Sequence, residues 1–177
     1  MQRRLWVFVV GCLFMSSMCW AQSLEYRDEA RKFSITGPEG WKRQDGGRST
    51  EVSYIKDPER PIPTIGVTID STIDEPVQIT SALAFSNLVL SRLPRSWSIV
   101  VVESPHDIEL HGWRGSRLAY ERIAQMKWNT RPITFRNIYW QFMQGDEIIS
   151  LVAIVENNSD VDLVEIQRCV DSFHRLP

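Results

Sequence analysis

Residues 133–155 carry the pattern that most constrains this chain: two apolar arms around a tight turn, with large side chains on both faces. The first arm, 133–143, alternates Phe135, Asn137, Tyr139 and Gln141 against Arg136, Ile138, Trp140 and Phe142. Gln144-Gly145-Asp146 supplies the turn, and the second arm runs over 147–155. Successive strand side chains point to opposite faces, so a period of two sorts these residues into two sets. Each set holds large apolar groups, which places the arm at the centre of a sheet covered on both sides.

The rest of the chain supplies partners for that hairpin. Phe33-Ser34-Ile35 alternates and ends at the turn residues Gly37-Pro38-Glu39-Gly40, before Trp41. Residues 50–55 put Val52 and Tyr54 on one face. After a loop punctuated by Pro58, Pro61 and Pro63, Ile65, Val67 and Ile69 alternate with Thr64, Gly66, Thr68 and Asp70, the mark of a half-buried strand. Leu83, Val89, Leu90 and Leu93 predict a helix over 80–93, capped by Thr80 or Ser81 and ended by Pro94. Short strands are expected at 97–103, 107–110 and 116–123. A closing helix over 160–176 packs through Leu163, Ile166, Val170 and Phe173, with Asn158, Ser159 and Asp160 as capping candidates. Strands, a helix, more antiparallel strands and a helix make an α+β fold, an antiparallel sheet with helices packed on it.

Residues 1–21 read as a secretory signal peptide. Arg3 and Arg4 precede an apolar run from Leu5 to Met15, and Cys19-Trp20-Ala21 puts small residues where a cut after Ala21 needs them. Two alternatives stay open: a retained anchor, and a lipoprotein acylated at Cys12 after Val9-Val10-Gly11. Residues 22–177 then form a single domain. Without Arg3 and Arg4 the 20 basic side chains become 18 against 22 acidic, a net charge of −4. That balance argues against nucleic-acid binding, which needs a dense basic surface. Of three cysteines only Cys169 falls outside the signal, so no internal disulfide is expected, and its helical setting marks it as a small buried hydrophobe.

No catalytic or metal-binding motif stands out. If 106–111 is a strand, Asp107 and His111 lie about 13 Å apart along it, too far for bonds of ~2.0–2.6 Å to one ion. The sequence has no Gly-x-Ser-x-Gly, no phosphate-binding loop and no dinucleotide fingerprint. The expectation is a non-enzymatic chain with no cofactor and no metal. Tryptophans carry a further signal: Trp113 and Trp128 stand in turn-like settings beside Arg114 and Lys127, with Arg131 nearby. Exposed aromatic and Arg groups make interface hot spots. The competing reading has each Trp closing an edge of the core.

Phe33-Ser34-Ile35-Thr36-Gly37-Pro38-Glu39-Gly40-Trp41, a strand running into Pro-x-Gly-Trp, resembles the opening of the Mog1/PsbP-like family, with bacterial DcrB-type proteins nearest. The later order of elements fits that family over residues 24–173. The resemblance implies an α/β/α sandwich around an antiparallel sheet. It also implies non-enzymatic proteins that dock on protein partners, among them photosystem subunits, binders of a small GTPase and envelope factors. No family functional residue matches a position here. The expected function is an exported protein-binding module of the bacterial envelope, periplasmic or secreted. Its partner surface is placed at Trp113, Arg114, Trp128 and Arg131. A small-ligand or lipid-binding domain with a cleft between sheet and helix is the alternative.

Overall fold

The computed structural model describes residues 23–46, 50–73, 78–125, 131–157 and 159–177. The signal segment with Cys12 and Cys19, Lys127, Trp128 and Asn158 lie outside them. In chain order the elements are β1 (Glu25–Asp28), β2 (Phe33–Thr36), β3 (Lys42–Asp45), β4 (Val52–Asp57), β5 (Arg60–Ser71), α1 (Ala82–Ser91), β6 (Ile99–Leu110), β7 (Trp113–Ala124), β8 (Ile133–Gln144), β9 (Glu147–Glu156), α2 (Asp160–Asp171) and β10 (His174–Arg175). Seven strands form an antiparallel sheet in the order β3-β4-β5-β9-β8-β7-β6, and β1-β2-β10 form a small second sheet. This is the α+β architecture that the alternation predicts.

Strand β8 shows why two layers are needed. Ile138, Trp140 and Phe142 are buried in the main core with Ile149, Leu151, Ala153 and Val155 of β9. α2 and β2 close that face through Ile166, Cys169, Val170, Phe33 and Ile35. The other set of β8, Phe135, Asn137 and Gln141, is buried as well. There α1 lies across β6, β7 and β8, and Phe85 packs with Ile79 and Ile148. Ser81 caps α1, its Oγ accepting from the Ala84 N–H at 3.1 Å.

Under α1 the contact is polar. Ser86 and Ser116 hydroxyls meet at 2.5 Å, Ser86 donates to Gln141 Oε1, and Gln141 Nε2 donates to Ser150 Oγ at 3.3 Å. All four residues are buried, so each group finds in its neighbour the partner that water would supply.

Two of the expected boundaries change. Residues 99–110 form one continuous strand with register shifts around Glu103, where two short ones were expected. Bulges of this kind add a residue without ending a strand. The closing helix stops at Asp171, not 176: Ser172 caps it, Phe173 turns into the core, and His174 and Arg175 pair with Ser34 and Phe33. A strand ladder there satisfies backbone groups that a further helical turn would have left at a frayed end.

Polar clamps tie α2 and the small sheet to the large one. Lys56 donates to Asp162 at 2.8 Å and to Glu165 at 2.9 Å, and the Trp41 indole N–H donates to Glu165 at 3.0 Å. Arg31 forks onto Glu147 at 2.8 and 2.9 Å and reaches Asp28 at 3.0 Å.

Lys56, then Trp41, holds the Glu165 carboxyl below its usual range. A depressed carboxylate stabilises the fold above its unfolded pKa of ~4.3, and that contribution fades as pH falls through the lower folded value. Lys56→Met should therefore lower stability at neutral pH by ~1–3 kcal/mol, because it removes the charged partner of the buried Asp162 as well as that of Glu165. In urea titrations the gap to the native protein should narrow as pH falls below ~4.3. Gly115→Ala tests the packing, because a Cβ there would lie 2.3 Å from the Gln141 carbonyl oxygen and 2.6 Å from the Phe142 ring. A loss at the upper end of ~1–3 kcal/mol is expected in the same assay.

Candidate docking surface

Eight large apolar side chains are exposed among the described residues, and five of them gather at one margin of the large sheet. Trp97 precedes β6, Val100, Val101 and Val102 lie on it, and Ile123 lies near the adjoining end of β7. Val100 is 63% exposed and Val102 48%. A run of four β-branched residues, Ile99 to Val102, favours a strand whatever it packs against.

Register assigns these side chains to faces. Val100 stands opposite Glu121 and Val101 opposite Tyr120, so they project to opposite sides. Val102 borders a small recess with Ala119, Ile138, Leu163 and Ile166 on the α2 side. Trp97 lies on the Arg122 guanidinium, 4.6 Å from the ring centre, and is 39% exposed. β6 thus shows apolar groups on both faces. It is also the last strand of the sheet, so its outer backbone N–H and C=O groups have no strand beside them among the described residues.

Charge is handled further along the strand. Glu103 sits between Arg117, at 3.3 Å, and His106, at 3.2 Å. Next to it Glu121 takes Arg136 at 2.7 Å. Residues 99–102 themselves carry no charge.

The residues singled out from the sequence do not make one surface. Trp113 is 1% exposed, within 6.0 Å of Phe142 and 5.3 Å of Phe173 between ring centres, and the Arg175 guanidinium covers it at 4.4 Å. It opens strand β7 in place of a turn, and its inward position puts it in the core, out of reach of a partner. Its indole N–H is buried with no hydrogen-bond partner among the described residues. Arg114 is exposed opposite Glu109. Arg131 is exposed at the far end of the sheet, two residues before β8. Ten residues of β7 separate Arg114 from Ala124, which pairs with Ile133, so the two arginines stand roughly 33 Å apart. Trp128 lies outside the described residues.

Other places offer little chemistry. A depression of about 420 Å³ lies between the Gly37-Pro38-Glu39-Gly40 turn and α2, with Glu165, Arg168 and Cys169 on its wall. Cys169 is 2% exposed and burial pushes its thiol up to about 12, which keeps it protonated and unreactive at neutral pH. Beside α1, Ser53, Thr64, Thr68, Asp70 and Tyr139 border an open depression of about 390 Å³. Gly66, Val152 and Ile154 add to its lining, and it stands open to solvent, unlike the deep enclosed pocket that lipid carriage needs. The histidines point apart: His106 to Glu103, His111 to the Asp171 carbonyl at 2.8 Å, and His174 to Ser34 at 3.1 Å. Among the described residues no group of three His, Cys, Asp or Glu could hold a metal ion.

No protein-family model matches the sequence, and no curated protein is similar to it by sequence. Similarity appears in three dimensions. The solution structure of cyanobacterial PsbP (CyanoP) from Synechocystis superposes with a TM-score of 0.58 at 13% identity, over 85% of this chain and 91% of that one. LpqN, involved in cell envelope biogenesis of Mycobacterium tuberculosis, gives 0.54 at 16% identity, over 82% and 83%. The Saccharomyces cerevisiae Ran-binding protein Mog1p gives 0.53 at 13% identity, over 87% and 95%. The chain has the Mog1/PsbP-like fold.

Trp113→Ala is expected to cost ~3–5 kcal/mol of unfolding free energy, as a deleted core aromatic does. Arg114→Ala should stay within ~0.5 kcal/mol of the parent. Guanidinium titrations of the two variants would check this, and a Trp113 variant as stable as the parent would put that ring outside the core.

Proposed function

We propose that this chain is a non-catalytic module of the bacterial envelope that is exported by residues 1–21 and works by docking on protein through the outer edge of β6. The observation that carries this reading is the exposed, uncharged run at Val100, Val101 and Val102 on a strand whose outer edge has no partner strand among the described residues, flanked by Trp97 and Ile123. Exposed apolar side chains grouped at one margin mark interaction sites, where single scattered ones do not. Fold-level similarity supports the class of function and goes no further: one relative in structure is a Ran-binding protein and another belongs to envelope biogenesis. The exported character rests on the order of residues at the N-terminus: positive charge, apolar run, then small residues before Gln22.

Two measurements test the two halves. N-terminal sequencing of protein recovered from the envelope fraction should begin at Gln22; an intact Met1 would overturn export by cleavage. Affinity capture on the tagged chain should lose its specific partners in Val100→Asp/Val102→Asp and keep them in Trp128→Ala/Arg131→Ala. The reverse result would move the docking surface to the β7–β8 end of the sheet.

A further inference from the structure

Gly66 sits in the middle of β5, where glycine weakens a strand and marks a place at which something approaches the backbone closely. Nothing inside the chain requires it there. Its φ lies outside the left-handed region, and a Cβ would meet the Val52 carbonyl oxygen at 3.3 Å and its next neighbours at 3.6 Å, so a side chain fits after a slight adjustment. What the missing side chain provides is room above the sheet. Register sets Ser53, Gly66, Val152 and Tyr139 in one row across β4, β5, β9 and β8. Thr64 and Thr68 stand on the same face on either side of Gly66, roughly 13 Å apart. Together they frame the open depression of about 390 Å³ beside α1, a volume within the range of small-ligand sites.

The frame is made of hydroxyl groups. Those of Thr50, Ser53 and Thr68 have no hydrogen-bond partner among the described residues, and Thr64 gives its proton to the Tyr54 carbonyl at 3.1 Å, which leaves its lone pairs. A free hydroxyl both donates and accepts. Thr68 pairs with Ser150 and Ser150 with Gln141, so the polar chain buried under α1 comes to the surface here. Tyr139 stacks on Tyr120 with ring centres 6.0 Å apart and hydroxyls at 3.4 Å, which fixes its ring at the edge of the depression. Burial pushes its phenol well above the ordinary range, so it keeps its proton.

Charge narrows the occupant. Of the nine residues lining the depression only Asp70 is charged, and no Lys, Arg or His stands among them to meet a phosphate or carboxylate. Val152 and Ile154 make an apolar floor. A ligand that fits is uncharged, carries hydroxyls round its edge and offers a C–H face to the floor. From this match we infer that the depression binds a segment of a neutral glycan, one sugar ring lying over Gly66 with its hydroxyls on Ser53, Thr68 and Asp70. A second depression of about 280 Å³ shares Thr68, Asp70 and Tyr139 and lets the glycan continue along α1.

The test is a printed array of uncharged oligosaccharides probed with the tagged full chain, since multivalent display raises weak single-site binding into range. Saturable binding is expected, and free oligosaccharide should displace it. Displacement by lipid-linked forms alone would move recognition to the lipid and overturn the inference. Gly66→Val, which fills the hollow with a strand-favouring side chain, should bind at least roughly tenfold more weakly with its thermal unfolding intact. Thr68→Val, which removes one hydroxyl at nearly constant shape, should weaken binding in the same direction. Amide chemical shifts in the parent should move at residues 52–54, 64–70 and 150–154 when the bound oligosaccharide is added. An array without binding, a Gly66→Val chain that binds like the parent, or shifts confined to other residues would each overturn the proposal. Val100→Asp/Val102→Asp should bind glycan as the parent does, so this site and the β6 docking surface stand or fall separately.

Discussion

The packing of Phe173 against Phe33, Trp113 and Phe142 is the contact on which the rest of this fold depends. Ring centres lie 5.1 to 5.4 Å from Phe173, and the four residues come from the small sheet, the exit of α2 and two strands of the large sheet. Such pairs contribute ~0.5–1.5 kcal/mol beyond the area they bury. Their geometric effect is larger. Phe173 must point inward, so the chain leaves the helix at Asp171 and runs back beside β2. That return places Arg175 over Trp113 and completes the small sheet.

The two faces of the large sheet are closed by different physics. The face toward α2 is an apolar core with charged clamps at its rim, where Lys56, Asp162, Glu165 and Trp41 meet. The face toward α1 holds the Ser86, Ser116, Gln141 and Ser150 chain in its interior. Buried polar groups tolerate few arrangements, since a shift of α1 would leave several without partners at once. With both faces covered over β8, exposed apolar surface collects at the margin instead.

Much of the fold is legible in the sequence because it is local. The hairpin from 133 to 155, the strands holding Val52, Tyr54, Ile65 and Val67, and the Ser81 cap all follow from short-range periodicity or turn chemistry. What is lost is set by distant residues. Trp113 reads as a turn residue beside Gly112, and only the strands and the C-terminal segment that converge on it bury it. The end of α2 depends on β2, far away in the chain. The run Ile99–Val102 is visible as a strand former, yet whether such a strand is central or marginal depends on sheet order, which no local pattern encodes. Trp and Arg side chains stand out in the sequence as interface candidates, whereas the exposure of Val100, Val101 and Val102 follows from sheet order alone.

The unequal margins of the sheet bear on how far such a protein can aggregate. Amyloid and domain-swapped fibres grow because each added unit offers a fresh template at its other end. Here a strand added at β6 gains no successor, since the opposite end is the charged, four-residue β3. Growth by edge stacking stops after one step. A chain built this way can keep an apolar edge strand exposed without seeding filaments.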